Sequence, residues 1–237
     1  MRRPVLLAAA VLAVSASGAG AAPAAGECRG LPVCLPVSGP WVVIPAATPS
    51  RPARVEYELR CPLSGYIVAG ADARLADPDI DVFLRGETGS PVSPGVTTSR
   101  AVLFSSVYVG ERRAPTTFKP FIGCVPTSGG GGRALTGAAA VPPTRPVTRR
   151  AVQRRVPAGG RVDIVTACRG RETLVGASHA VGFRSVAPPA REVIDTLRVE
   201  QRVSGSRAAV TATASRALPT RFTAVVQVIA HCRRAAP

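Results

Sequence analysis

The adjacent residues Ser178 and His179 place a hydroxyl nucleophile beside an imidazole base, the pairing that a serine hydrolase uses. The Gly-x-Ser-x-Gly elbow of such enzymes is incomplete, because Ala180 stands where the second glycine is required. The other histidine, His231, precedes Cys232 and is expected to point outward from a strand. With 2 His and no paired-carboxylate motif, the chain is predicted not to be an enzyme. A secreted hydrolase using Ser178 and His179 is the alternative.

The acidic residues Asp77, Asp79 and Asp81 have the alternating spacing that calcium sites use. A calcium loop beginning at Asp77 would need glycine and glutamate at the positions that Val82 and Thr88 occupy. Asp77 is also followed by proline, which is typical of a turn at the end of a hairpin. We therefore predict no cofactor, and a metal site at the three aspartates is the alternative.

Basic residues are concentrated in the second half of the chain. The formal net charge is +16, and residues 127–161 contain arginines but no acid. Such a cluster could bind an anionic polymer of the cell envelope, whereas the alternative is a solvated linker in an arginine-biased sequence. The candidate contacts for a polyanion are Arg145, Arg149, Arg150, Arg154 and Arg155. Nucleic-acid binding is not expected, because no aromatic residues for base stacking are interleaved with this cluster.

Aromatic residues are concentrated in the first half. Tyr57 and Phe118 share the strand parity of the nearest cysteines and are predicted to lie in the core. Trp41, Tyr66 and Phe121 are candidates for an exposed aromatic contact surface. The alternative is that these three also fill the core of the first half.

The first 25 residues have the parts of a secretory signal: two arginines, an apolar centre and a small-residue stretch. Cleavage is expected after Ala21, Ala22 or Ala25. No other segment approaches the ~20 apolar residues of a membrane-spanning helix. The protein is therefore predicted to be secreted, without a transmembrane segment in the mature chain. In that oxidising location an even number of cysteines favours disulfides.

A duplication organises the rest of the chain. Residues 54–57 (Arg-Val-Glu-Tyr) lead to Cys61 at the spacing at which residues 161–164 (Arg-Val-Asp-Ile) lead to Cys168. An ungapped continuation aligns Ile67 with Leu174. The predicted segments are a signal (1–25), an N-terminal disulfide loop (26–40), a first unit (41–126), a Gly/Pro/Arg-rich linker (127–149) and a second unit (150–234).

Short strand-like runs between glycines and prolines predict an all-β protein: two tandem immunoglobulin-like antiparallel β-sandwiches. The simplest pairing of the cysteines closes each unit with one bridge, Cys61–Cys124 and Cys168–Cys232. Cys28 and Cys34 remain and would close a short local loop, the alternative being a free pair. The tryptophan and tyrosine that mark true immunoglobulin domains are missing from the expected positions.

Three short motifs carry a resemblance: Cys-Pro-x-x-Gly at residues 61–65, Val-x-Gly-Ala at 68–71, and a last strand ending in Cys124. Together they resemble a cysteine-bounded β-repeat of secreted proteins of high-GC Gram-positive bacteria. The second copy departs from the motif, because Arg169 replaces the proline and Glu172 the glycine. The resemblance implies export and a disulfide-closed β-unit, and it implies no activity.

These observations favour a secreted, non-catalytic protein that acts by surface contact at or near the cell envelope. Its expected partner is an anionic envelope polymer or another surface protein. The second alternative is a polyanion-binding protein that uses the arginine-rich linker and the second unit.

Overall fold

The structure is a computed structural model. It describes residues 28, 31, 33–48, 52–86, 100–111, 114–127 and 147–234. The predicted signal of residues 1–25 lies outside the described residues, and so do residues 128–146 of the predicted linker.

Strands form where β-branched and aromatic residues run between turn-forming glycines and prolines. The first half contains β1 (Leu35–Ser38), β2 (Trp41–Ile44), β3 (Arg54–Arg60), β4 (Tyr66–Leu75), β5 (Ile80–Gly86), β6 (Ala101–Tyr108) and β7 (Thr116–Pro126). The second half contains β8 (Val147–Val156), β9 (Arg161–Ala167), β10 (Glu172–Arg184), α1 (Arg191–Ile194), β11 (Leu197–Ser204), β12 (Arg207–Ala214) and β13 (Thr223–Arg234).

The strands form one large antiparallel sheet and two small ones. The seven-stranded sheet has the order β1-β7-β2-β10-β13-β8, and β4 pairs with the other edge of β7. The three-stranded sheets have the orders β3-β6-β5 and β11-β12-β9. The predicted all-β fold with antiparallel sheets is confirmed.

Strand β2 connects the two halves of the large sheet. On one side Val42 pairs with Phe118 of β7, and on the other Trp41 pairs with Phe183 of β10. Strand β1 pairs with the same edge of β7, farther along that strand. Between β1 and β2 the chain passes close to β7, and the amide of Gly39 donates a hydrogen bond to Pro120. A Cβ at Gly39 would lie 2.5 Å from the Pro120 ring, so only glycine fits without movement.

Two hydrophobic cores lie on opposite faces of the large sheet. Val42 and Ile44 of β2 belong to the first core, and Val43 between them belongs to the second. Successive strand residues point to opposite faces of a sheet, so the two cores lie on opposite faces of the large sheet. Sheet β3-β6-β5 contributes to the first core and sheet β11-β12-β9 to the second. The predicted core positions Tyr57 and Phe118 are both buried in the first core.

The predicted disulfides are confirmed as Cys61–Cys124, Cys168–Cys232 and Cys28–Cys34. The first two join a cysteine just after β3 or β9 to one in β7 or β13, with Cα–Cα distances of 5.9 and 5.5 Å. Each of these bridges therefore ties a small sheet to the large one.

The two halves repeat one strand order, since β4-β7-β2 and β3-β6-β5 correspond to β10-β13-β8 and β9-β12-β11. Strands β4 and β10 also share an irregularity, after Val68 and after Leu174. Val68 lies opposite Cys124 and Leu174 opposite Cys232, so these two residues are counterparts. The ungapped alignment, which matched Ile67 with Leu174, was therefore wrong by one residue.

Candidate functional site

The charged face of β3 lies against the second half of the molecule. Val55, Tyr57 and Leu59 point into the first core, so the alternating residues Glu56 and Glu58 point the other way. Both glutamates contact side chains of the second half. A strand with one apolar and one charged face thus forms the joint between the two halves.

Glu58 is the most buried charge of the joint, with a side chain that is 1% exposed. Its carboxylate lies 3.3 Å from Nε of Arg149 and 2.9 Å from Nη2 of Arg60. The side-chain amide of Gln227 binds the backbone of Glu58 twice, accepting from its N–H at 2.7 Å and donating to its carbonyl at 2.9 Å. Gln227 thereby satisfies buried backbone groups across the joint.

Tyr57 adds a contact from the opposite face of β3. Its hydroxyl donates a hydrogen bond of 2.6 Å to Oε1 of Gln153 in β8. Burial raises the pKa of Tyr57, which keeps this donor protonated.

Glu56, Ser178 and His231 form a cluster that superficially resembles a catalytic triad. The hydroxyl of Ser178 donates to Oε2 of Glu56 at 3.0 Å, and Nε2 of His231 lies 3.1 Å from the same oxygen. Ser178 Oγ and His231 Nε2 are 3.5 Å apart. Hydrogen bonding to His231 is the main cause that lowers the pKa of Glu56 to about 2.

The order of these groups does not activate the serine. A triad needs the histidine between nucleophile and acid, with a free nitrogen lone pair facing the hydroxyl. Here the ionised Glu56 can only accept hydrogen bonds, so Nε2 of His231 must carry a hydrogen. That nitrogen cannot take a proton from Ser178, whose own hydrogen is directed to Glu56. The cluster is arranged to hold β3 against β10 and β13.

The predicted pair Ser178–His179 does not meet. The two residues are neighbours in β10 and therefore point to opposite faces. Nδ1 of His179 lies 2.5 Å from Oε1 of Gln201 in β11, and Gln201 donates to the carbonyl of Ala177. His231 points away from the second core, and its side chain is only 18% exposed because it contacts Glu56 of β3.

Two clefts flank the Glu56 cluster. One of about 360 Å³ lies between β2–β3 and β10–β11, and Val43, Arg54 and Gln201 are among its lining residues. The other, of about 450 Å³, is lined on its polar side by Arg54, Arg149 and His231. Arg54 and Glu56 line both clefts and pair with each other at 3.3 Å.

The arginine cluster is only partly available for a ligand. Arg149 pairs with Glu58, and Arg150 binds Glu172 with a shortest distance of 2.8 Å. These two are therefore corrected from polyanion contacts to internal ion pairs. Arg154 and Arg155 on β8 are exposed. Arg145 lies outside the described residues.

The predicted aromatic surface does not include Trp41. Trp41 is 1% exposed, because β2 has neighbouring strands on both edges, so its assignment to a surface patch was wrong. Tyr66 and Phe121 are half-buried. Nζ of Lys119 lies 5.8 Å from the ring centroids of both Trp41 and Phe121, which places a cation beside the half-buried Phe121.

The aspartates at the start of β5 do not gather into a ligand set. Asp77 is buried and accepts a hydrogen bond from the amide of Asp79, as in the predicted turn. Asp79 and Asp81 are exposed. In the described part of the chain, the one group of ligating atoms within 4.8 Å of one another is Cys168, Glu172 and Cys232. Its two cysteines form a disulfide, which leaves a single carboxylate.

The sequence analysis did not predict the residues that form the joint, which are Glu56, Glu58, Gln227 and Gln153. One signal was present: Gln227 interrupts the apolar run of residues 224–230, which is typical of a strand buried on both faces.

Comparisons with protein-family models, with curated proteins and with solved structures find no match for the chain. Among the described residues, no helix has the length and apolar character needed to cross a membrane. The three disulfides indicate an oxidising, extracellular environment.

Proposed function

We propose that the chain is a secreted, non-catalytic protein of two related immunoglobulin-like units, and that it acts by surface contact at or near the cell envelope. The matching strand orders, bulges and disulfides support descent of the two halves from one repeat. The resemblance of residues 61–71 to a β-repeat of exported proteins agrees with this assignment.

One observation carries the functional proposal: the hydroxyl of Ser178 is bound by the carboxylate of Glu56, whose pKa of about 2 makes it too weak a base to activate a serine. Ser178, His231 and Glu56 together hold the two halves in contact. A group that must stay paired for the joint to form is poorly suited to enter a reaction cycle. What the molecule offers to a partner is then its outer surface.

The hydrolase alternative is tested with an activity-based fluorophosphonate probe on the mature protein. We expect no labelling above that of Ser178→Ala, because the carboxylate that accepts the hydrogen bond of Ser178 is too weak a base to take its proton. If the protein hydrolyses esters or peptides and His179→Ala lowers turnover while the fold is kept, the non-catalytic assignment is overturned.

The surface-contact function is tested by retention of the mature protein on isolated cell-envelope fractions across a salt series. Retention that persists at high salt is expected for contact through apolar surface, since screening weakens charge-driven attraction. Retention that disappears with salt and in the Arg154→Ser/Arg155→Ser variant would instead assign the polyanion-binding function. Absence of retention at every salt concentration would contradict an envelope contact.

A further inference from the structure

Positive charge is concentrated at one end of the second half, which we call the disulfide end. It comprises the turn from β9 to β10 (167–172), the turn from β11 to β12 (204–207) and residues 232–234 of β13. These three segments contain five arginines and one acid, Glu172. The five arginines are all exposed and are Arg169, Arg171, Arg207, Arg233 and Arg234.

The fold holds these arginines close to one another. Arg169 and Arg233 directly follow the two cysteines of the second-half disulfide, whose Cα atoms are 5.5 Å apart. Arg207 pairs with Ala167 at the end of β9, and Arg234 pairs with the first residue of β10. Like charges gathered in this way repel one another, which is a cost to the folded state.

The first half has no charged residue at the equivalent positions. We match the positions through the disulfide cysteines of each half and, for Arg207, through the ladder that places Ala101 opposite Arg60. A general bias of the sequence toward arginine would act on both halves alike, so it does not explain the cluster. The counterparts of the five arginines are Pro62, Ser64, Ala101, Val125 and Pro126.

A cleft of about 490 Å³ opens between β8 and β9 beside the disulfide end. Glu58 pairs with two of the arginines that line this β8–β9 cleft, and Glu172 pairs with a third. Four guanidinium groups thus face two carboxylates, which leaves an excess of two positive charges. The four lining arginines come from three segments of the chain and are Arg60, Arg149, Arg150 and Arg169.

The lining arginines differ in their freedom to contact a ligand. Ion pairs with glutamates hold Arg149 and Arg150 in place, so these two fix one wall of the cleft and its positive potential. Arg60 has a side chain that is 48% exposed. The side chain of Arg169 makes no ion pair or hydrogen bond with another described residue. Arg60 and Arg169 can therefore donate to a ligand that enters between them.

The arrangement suits a phosphate group better than a carboxylate. Guanidinium groups that approach from separate segments can donate to the tetrahedral oxygens of a phosphate from several sides. A carboxylate is planar and accepts hydrogen bonds within one plane. No aromatic side chain is among the described residues that line the cleft, so it offers no platform on which a nucleic-acid base could stack.

We propose that the β8–β9 cleft and the disulfide end bind an anionic polymer whose charge lies on repeating phosphate groups. One phosphate occupies the cleft, and neighbouring phosphates of the same polymer contact the exposed arginines around it. Several such contacts add together, as they do where proteins bind a phosphate backbone. The inference goes beyond the surface-contact function, because contact through apolar surface uses none of these arginines.

The test measures binding of labelled inorganic polyphosphate to the mature protein across a salt series. Arg169→Ser/Arg171→Ser should weaken binding at low salt by about tenfold or more and lower the salt slope by about 1–2, because counterions are released at each phosphate contact. The matched control Arg154→Ser/Arg155→Ser removes two exposed charges of β8 that do not line the cleft, and it should weaken binding by less than about threefold. Equal losses in the two variants would overturn the proposal, since they would show attraction by net charge alone.

A conservative variant separates charge from hydrogen-bond geometry. Arg169→Lys/Arg171→Lys keeps both charges and removes the planar donors, so it should bind more tightly than the serine variant and more weakly than wild type. Wild-type affinity in this variant would overturn recognition by guanidinium groups. Folding is checked by thermal unfolding and non-reducing peptide mapping. If the serine variant fails these checks, Arg233→Ser/Arg234→Ser tests the same end of the molecule with the same expected loss.

Competitors identify the occupant. Inorganic phosphate should compete more weakly, per phosphate group, than polyphosphate, and equal competition would overturn binding of a polymer. Polyglutamate that competes as well as polyphosphate would show that phosphate is not required. Vesicles of phosphatidylglycerol that bind wild type but not Arg169→Ser/Arg171→Ser would assign the arginines to a lipid surface instead. Single-stranded DNA that binds more tightly than polyphosphate would assign them to a nucleic acid.

Envelope retention separates failure of this inference from failure of the proposed function. We expect wild type and Arg169→Ser/Arg171→Ser to be retained alike at high salt. Unchanged polyphosphate affinity in that variant, with retention intact, would overturn the polymer site and leave the surface-contact function standing. The expected loss of polyphosphate affinity, without envelope retention of either protein, would support the polymer site and contradict the surface-contact function.

Discussion

Glu58 carries a charge at a position where water cannot solvate it, so its ion pairs are a requirement of the fold. Arg149, its main partner across the joint, has a side chain that is only 9% exposed. When one member of a buried pair is removed, the other is left as an uncompensated buried charge. Removal of either partner is therefore expected to cost more than the ion pair itself contributes to the net stability.

We expect Glu58→Ala to lower the free energy of unfolding by about 3–5 kcal/mol, because Arg149 would remain buried without a counter-charge. Denaturant unfolding measures the change. The control is Glu200→Ala, which removes an exposed glutamate 3.9 Å from Arg202 and should cost less than about 1 kcal/mol. Equal effects of the two substitutions would contradict the importance of burial.

Glu56 makes the joint sensitive to acid. Its pKa is lowered from 4.5 to about 2, chiefly by the hydrogen bond to His231. A lowered pKa means that the ionised form stabilises the folded state above pH 4.5 and that this contribution is lost as the pH falls toward 2. In thermal unfolding, Glu56→Gln should therefore lose less stability than wild type across that interval. Parallel curves for the two proteins would show that Glu56 does not couple protonation to folding.

At the scale of elements, the four-residue strand β2 has more influence than its length suggests. It pairs with β7 and β10, and its side chains enter both cores. A strand shared in this way makes the packing of one half depend on the other. The joint of β3 with the second half acts in the same direction.

Ile44 is fully buried, so Ile44→Ala should lower the free energy of unfolding by about 2–5 kcal/mol. Because β2 belongs to both halves, we expect wild type and variant to unfold in a single calorimetric transition. Val109→Ala, at a position that is 62% exposed, is the matched control and should change little. A variant with two separate transitions would show that the halves unfold independently.

The contrast between β3 and β2 explains which elements the sequence could predict. In β3 the alternation of Val55, Tyr57 and Leu59 with charged residues identified the core face correctly. In β2 the continuous apolar run of residues 41–44 has no alternation, so it could not show that its side chains enter two different cores. Pairing of Trp41 with Phe183 joins segments far apart in the chain, and no local pattern encodes such a partner.

At the scale of the whole molecule, the disulfides could be predicted because the cysteines recur at nearly the same spacing in the two halves. Cys61–Cys124 and Cys168–Cys232 follow from that spacing. The candidate site could not be predicted from the sequence in the same way. Glu56, Ser178 and His231 come from β3, β10 and β13, and they meet only because the first half packs on the second. Such a junction is a property of tertiary packing, so reading each half alone could not reveal it.

The position of β2 also has a consequence for the order in which the chain can fold. A chain that emerges from its amino-terminal end can pair β2 with β7 once residues 116–118 are available. The other edge of β2 can pair only after residues 182 and 183 of β10 have been synthesised. During that interval the apolar Trp-Val-Val-Ile segment presents an unpaired edge, the feature that makes folding intermediates prone to aggregate. We therefore expect β2 to be exposed to aggregation between completion of the first half and synthesis of β10.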